Sequence, residues 1–333
     1  MTLNKIFTSH MVLPAGKNLR FFGEGAGKIS VSFNGVEKSL ETTDDSWCLE
    51  FPPFDYGGPY DVKVTMNDNE VVLEDVYVGE VYLYAGQSNL QFKVQESPFI
   101  PGPYPEDDKL RLFSTERLEV GMYGDFFFPE DGWKVSKSDE VGRWSAIGFL
   151  SGLQICREKD VAVGVIACYQ GASVIESWAP AGFFDKYNVP AEDKHVDHTV
   201  EAFAAWNEKE GTLYNFALGQ VLPFAISGVI WYQGESDTTV AEARVYKNEL
   251  ADLITLWRED FNDKELPFVV VQIADYDPRP DDGWKMIQQA QWDVQFMLPN
   301  VKTVISKDVC EKDNIHPPTK HKLAERIARA IMD

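Results

Sequence analysis

A chain of 333 residues is too long for one small module and suits one large domain or two. Apolar residues make up 44% and charged residues 25%, a globular composition that excludes wholesale disorder. With 31 basic and 53 acidic residues the formal charge is −22, which argues against duplex nucleic acid and anionic membrane surfaces as partners.

Taken in chain order, residues 1–77 come first. Alternating runs at 29–33 and 60–64 have the period of two expected of half-buried strands, and Asn34-Gly35 and Gly57-Gly58-Pro59 supply turns. No amphipathic helix pattern interrupts them, so residues 1–77 read as a small antiparallel, β-sandwich-like domain. The pattern then changes. Strand patterns at 76–84, 161–167, 228–232, 268–273 and 301–305 alternate with helical ones at 149–158, 213–224, 241–261, 286–297 and 319–331. Such alternation over 78–333 predicts a mostly parallel sheet covered by helices on both faces. The Pro-rich stretch 97–107 reads as a loop at the rim of a site. The longest apolar run, 161–175, is broken by Gly164, Gln170, Gly171 and Ser173, short of the roughly 18 residues a spanning helix needs. Residues 1–17 lack a signal peptide's basic start and apolar stretch, so a cytoplasmic location is expected with Met1 as the native start. Cys48, Cys156, Cys168 and Cys310 form no C-x-x-C pair and read as buried or idle thiols.

Ligands of open α/β sheets gather beyond the carboxyl ends of the strands. There the sequence places Gly86-Gln87-Ser88-Asn89, then a glycine loop Tyr169-Gln170-Gly171-Ala172-Ser173, then Gln233-Gly234-Glu235-Ser236-Asp237, and last Asp313-Asn314-Ile315-His316. Ser88, at a sharp strand-to-helix turn, would lie at a helix amino terminus that favours negative charge. An isolated G-x-S is more often a plain helix cap. The G-x-S-x-G elbow of α/β-hydrolases is absent. Of the five histidines, His10 has no acidic neighbour at a suggestive spacing, and His195 and His198 form a charged H-V-D-H stretch without an evident third metal ligand. His321 opens the last helix. His316 differs: Asp313 precedes it by three residues, and Pro317-Pro318 fix an extended exit. A short turn lets that carboxylate reach one ring nitrogen while the other faces Ser88. Glu235 ends a buried strand and either assists His316 in place of Asp313 or caps the next segment. Gln233 offers an amide for a developing oxyanion or for backbone groups in the core.

These residues resemble the sialate O-acetylesterase family of SGNH-type serine esterases. Gly86-Gln87-Ser88-Asn89-Leu90 resembles its G-Q-S-N-M block, and Gly171-Ala172-Ser173-Val174-Ile175-Glu176-Ser177-Trp178 is similar to its G-G-T-P-I-E-A-W block. Leu213-Tyr214-Asn215 and Gly228-Val229-Ile230-Trp231-Tyr232-Gln233-Gly234-Glu235-Ser236 match L-Y-N…G-V-I-W-Y-Q-G-E-S. Asp313 to Pro317 match D-x-I-H-P. The resemblance covers nearly the whole chain. It implies a flavodoxin-like three-layer α/β hydrolase fold and hydrolysis of acetyl esters on sugars, with no metal or organic cofactor. Carried over by position, Ser88 is the nucleophile, His316 the general base and Asp313 the orienting acid, with Glu235 the alternative. The Ser88 N–H, the Gly171 N–H and the Gln233 side chain are implied as the oxyanion hole. The chain reads Gln288-Gln289-Ala290-Gln291 where the family often has R-E-A-Q, which removes one anchor for a sialate carboxylate. Trp178, Tyr232 and Trp284 fit either sugar stacking or the core. Sialate and neutral acetylated sugars such as xylo-oligosaccharides both stay open as substrates, as does homo-oligomerisation. The rival readings are a general short-chain esterase and a non-catalytic carbohydrate-binding protein.

Overall fold

The structure is a computed structural model that describes residues 1–118, 132–195, 201–207, 210–279 and 281–333. In the amino-terminal part the strands are β1 (Thr2–Leu3), β2 (Val12–Pro14), β3 (Leu19–Glu24), β4 (Gly27–Phe33), β5 (Val36–Thr42), β6 (Ser46–Phe51) and β7 (Gly57–Met66). β8 (Asn69–Gly86) leads out of it. β1, β3 and β6 form one antiparallel sheet, while β4 lies between β5 and β7, and β7 pairs with β8. The alternation expected in 29–33 is there: Ile29, Val31 and Phe33 are buried, and the Phe33 ring lies 6.5 Å from that of Phe21 in β3.

β8 is 18 residues long and serves both parts. Its first half pairs antiparallel with β7 and is largely exposed; its second half is buried and pairs in parallel on both sides. Residue 77 therefore falls inside a continuous strand. The burial change follows the sequence, which shifts from Asn69-Glu70-Val71-Val72 to the apolar Val81-Tyr82-Leu83-Tyr84-Ala85 that a doubly covered strand requires.

After β8 come α1 (Ser88–Gln91), β9 (Asp107–Ser114), β10 (Lys134–Ser136), α2 (Ser138–Val141), α3 (Ala146–Lys159) and β11 (Val163–Tyr169). They are followed by α4 (Glu201–Asn207), α5 (Thr212–Phe216), β12 (Gly228–Tyr232), α6 (Val240–Asp260), β13 (Phe268–Val271), α7 (Asp282–Asp293), β14 (Val301–Val304) and α8 (Lys320–Met332). The large sheet runs β10-β9-β11-β8-β12-β13-β14, parallel throughout except for β10. The architecture is thus mixed α/β. Helices start where capping side chains stand: Ser145 accepts from Gly148 N–H at 3.1 Å, Asp281 from Trp284 N–H at 2.9 Å, and Thr239 with Glu242 closes a capping box. α3 packs on α8, and α6 on α7.

Two departures from the sequence reading have physical causes. The helix expected at 213–224 stops at Phe216 and continues only as a 3-10 turn, Leu218–Gln220, because Gly219 and Pro223 weaken and then end it. β9 was hidden by its charges. Arg111 is buried there, donating to Asp75 at 2.9 Å and lying over the Tyr77 ring.

Candidate active site

Gly86 ends β8 with φ of +143°, and a Cβ at this position would stand 2.1 Å from the Tyr232 carbonyl oxygen of β12. Only glycine lets the two strands end this closely before the chain turns into α1. Gln87 N–H donates to that same Tyr232 oxygen at 3.0 Å, and Gly234 N–H donates to Gln87 Oε1 at 3.2 Å. Gln87, not Ser88, is the capping position of α1, and its side chain makes no capping bond. The Ser88 hydroxyl is therefore not spent on the helix.

It is spent on His316. The His316 Nε2 lies 2.7 Å from Ser88 Oγ, across 228 residues of chain. The ring rides on the turn that joins β14 to α8, and His316 N–H donates to Asn314 Oδ1 at 2.9 Å. Burial, reinforced by the nearby Lys320 ammonium, brings the imidazole down to a pKa of about 4. At neutral pH the ring is uncharged. In the tautomer with its proton on Nδ1, Nε2 accepts the Ser88 hydroxyl and stands ready to take its proton.

Among the described residues, neither expected acid is hydrogen-bonded to the ring. Asp313 is exposed, and among the described residues it makes no hydrogen bond to His316. Glu235 is buried in the loop after β12 but receives Asn89 Nδ2 at 2.5 Å instead. Burial pushes its carboxyl upward, against its own N–H, Asn89 and Lys320. The reason is spatial: Asn89 stands between Glu235 and the His316 turn, its Nδ2 also donating to Ile315 O at 3.0 Å.

The oxyanion donors need one correction. Gln233 is fully buried, and its amide is turned into the core: Nε2 donates to Ser173 O at 2.8 Å and to the Asp237 carboxylate, while Oε1 accepts from Tyr246 Oη at 2.9 Å. Both amide protons are used, so Gln233 holds loops together and offers nothing to an oxyanion. The Gly171 N–H is well sited but covered, donating to Gln91 Oε1 at 3.1 Å; the Gly171 Cβ direction points 3.8 Å from Ser88 Cβ. Ser88 N–H, at the first position of α1, has no intrahelical partner. Asn207 braces the glycine loop, donating to Ala172 O at 2.7 Å and accepting from Val174 N–H at 3.2 Å. Ala172 itself holds φ of +53°.

Ser97 of the 97–107 loop donates to Pro318 O at 2.7 Å, and Phe99 meets His321 at 5.7 Å between rings, so the loop does border the His316 turn. Trp178, Tyr232 and Trp284 are buried and belong to the core, not to a sugar platform. Gln288 faces Ile273 O and Asp275, so an arginine there would meet Asp275 inside the fold. His10, with no acidic neighbour at a suggestive spacing in sequence, gains one through folding: its Nδ1 lies 2.7 Å from Asp75 Oδ2. His198 lies outside the described residues, and among the described ones no group of three His, Cys, Asp or Glu side chains is placed to hold a metal ion. No helix among them is long and apolar enough to cross a membrane. All four cysteines are free. Sequence reasoning gave no role to Asn89, Gln91, Asn207 or Lys320; for Lys320 the only signal was a lysine four residues after His316.

A serine hydroxyl held by a neutral imidazole at the carboxyl ends of a parallel sheet defines the class: a serine-type hydrolase. The sequence model of the family "SASA: Carbohydrate esterase, sialic acid-specific acetylesterase" matches residues 78–333. The chain belongs to that family of carboxylic-ester hydrolases. It is 24% identical to the human sialate O-acetylesterase, with 96% of this chain and 68% of that protein aligned. The mouse sialate O-acetylesterase is 24% identical over 97% of this chain and 72% of its own length. Among solved structures, a carbohydrate acetylesterase from Xanthomonas citri superposes with a TM-score of 0.83 at 26% identity, covering 99% of this chain and 74% of that one.

Proposed function

We propose that this protein removes O-acetyl groups from carbohydrates through an acetyl-enzyme on Ser88. The observation that carries the proposal is the 2.7 Å contact between Ser88 Oγ and His316 Nε2, formed by residues 228 apart in sequence. Ser88 Oγ attacks the acetyl carbonyl carbon as His316 Nε2 takes the hydroxyl proton. The tetrahedral intermediate collapses, His316 returns that proton to the sugar oxygen, and the deacetylated sugar leaves. Water then attacks the acetyl-enzyme, giving one proton to His316, which passes it to Ser88 Oγ as acetic acid departs and ionises in solvent.

The oxyanion is received by the N–H groups of Ser88 and Gly171, and Gln91 Oε1 moves off Gly171 as the acetyl group enters. Asp313 is assigned as the acid that orients His316, on the strength of its place three residues earlier in the same turn. The assignment requires that turn to tighten once the acetyl ester is bound.

The fold is read as flavodoxin-like and three-layered. Supporting this, β8, β11, β12, β13 and β14, numbered one to five, lie in the order 2-1-3-4-5. Residues 1–77 are read as a small β-sandwich-like domain, supported by the Phe21–Phe33 packing between its sheets. Acetate release from O-acetylated sialic acid and acetylated xylo-oligosaccharides, compared side by side, tests the substrate. Preference for a long-chain acyl ester over both would instead indicate a general esterase.

A further inference from the structure

Lys320 is fully buried at the first position of α8. Its Nζ donates to Asn89 Oδ1 at 2.5 Å and lies 4.9 Å from the Phe92 ring centroid and 5.9 Å from that of Tyr232. The other end of the Asn89 amide donates to Glu235 Oε1 at 2.5 Å and Ile315 O at 3.0 Å. Asn89 is the residue after Ser88, and Ile315 the residue before His316. One side chain thus bonds the nucleophile's neighbour to the base's neighbour, and a buried ammonium fixes which way its amide points.

Placing an ammonium here is costly, since burial outweighs the opposing pull of Cys310, Glu235, Glu311 and Glu96 and leaves it at a pKa of about 8. An apolar side chain would fill the space between Phe92 and Tyr232 without that cost. The charge has a further reach, because Lys320 is the charged group that acts on His316, adding to burial in disfavouring the imidazolium.

We propose that Lys320 is a positioning residue for the hydrolysis: through Asn89 it fixes the turn carrying His316 against the turn carrying Ser88, and it acts on the imidazole as a neighbouring like charge. The inference rests on Ser88 and His316 being the hydrolytic pair. The clamp sets the 2.7 Å contact, and the charge keeps the base unprotonated into the acid range. Glu235, separated from the His316 turn by Asn89, becomes the counter-charge at the far end of the same amide.

The test is the pH dependence of kcat/KM for acetyl-ester hydrolysis by wild type, Lys320→Met and Lys320→Arg. Lys320→Met is expected to lose about tenfold or more in kcat. Its acid limb should move up by about half a pH unit or more, because a like charge has been removed. Lys320→Arg keeps the charge and should keep the wild-type limb. If Lys320→Met does not fold, Lys320→Gln reads the same shift while its amide still donates to Asn89. Asn89→Ala cuts the clamp and keeps the charge, so kcat should fall about tenfold or more with KM within about threefold. Lys320→Met or Lys320→Gln with an acid limb superposing on wild type overturns the electrostatic role, and Asn89→Ala with wild-type kcat overturns the clamp. Hydrolysis surviving Ser88→Ala would instead remove the reading on which the proposal rests.

Discussion

Replacing Gly86 with alanine probes how the fold presents Ser88. The added Cβ would stand 2.1 Å from Tyr232 O and 2.6 Å from Tyr232 C, all backbone of the adjacent central strand, where real contacts stay above 3.0 Å. No side-chain rotation relieves this, so β8 and β12 must part by about 1 Å at their carboxyl ends. The φ of +143° adds a backbone cost of about 1–3 kcal/mol. The struck oxygen is also the acceptor of Gln87 N–H, so the bond anchoring the start of α1 is lost with it. Together these predict a loss of about 2–4 kcal/mol in stability. A displacement of about 1 Å at Ser88 should lower kcat by about 10². The assay is p-nitrophenyl acetate hydrolysis with a urea midpoint measured on the same protein. Gly35→Ala is the control: its φ is +77° with nothing within 4 Å of the added Cβ, so it should lose about 1 kcal/mol and keep its kcat. A folded Gly86→Ala enzyme with kcat within about threefold of wild type would mean that the close strand ends at Gly86 do not position Ser88.

With His316 at about 4, kcat/KM should stay level from pH 7 to about 5 and fall near pH 4 as the base takes a proton; a limb near 6.5 would mean a carboxylate holds the ring in solution. The same depressed value means the unfolded chain protonates first, so this residue's contribution to stability declines as pH falls from about 6.5 to 4, as urea midpoints would register. Gln91→Ala uncovers the Gly171 N–H and should raise kcat/KM by about two- to tenfold, whereas a 10²-fold loss would make Gln91 itself an oxyanion donor. Asp313→Ala should lower kcat by about 10² or more if it orients His316, while Glu235→Ala should act chiefly on stability by freeing Asn89 Nδ2; an Asp313→Ala enzyme within about threefold of wild type leaves a Ser88–His316 pair working alone.

Much of the architecture was readable because each central strand is a short apolar run bounded by turn residues. β12 spans the residues its pattern indicates, 228–232, and α6 and α8 match within a residue. β9 escaped because Arg111 breaks its apolar run, and nothing local reveals that Asp75 will neutralise it. The Ser88–His316 pair was accessible because strand ends of an open α/β sheet converge, so residues after successive strands are candidates for one crevice. The orientation of side chains at that crevice was not. Gln233 has the right place in the chain for an oxyanion donor, yet Asp237, Ser173 and Tyr246 draw its amide into the core. Lys320 reads as one more charge at the start of an amphipathic helix. Only the fold brings Asn89, Glu235, Phe92 and Tyr232 around it.

Whether Ser88 carries the acetyl group is decided by acetate release from an O-acetylated sugar, measured for wild-type and Ser88→Ala protein under identical conditions. Release by wild type, falling by about 10³ or more in a Ser88→Ala protein with an unchanged urea midpoint, is the predicted result. Equal release by the two proteins, or none from the folded wild type on any acetylated sugar, would contradict it.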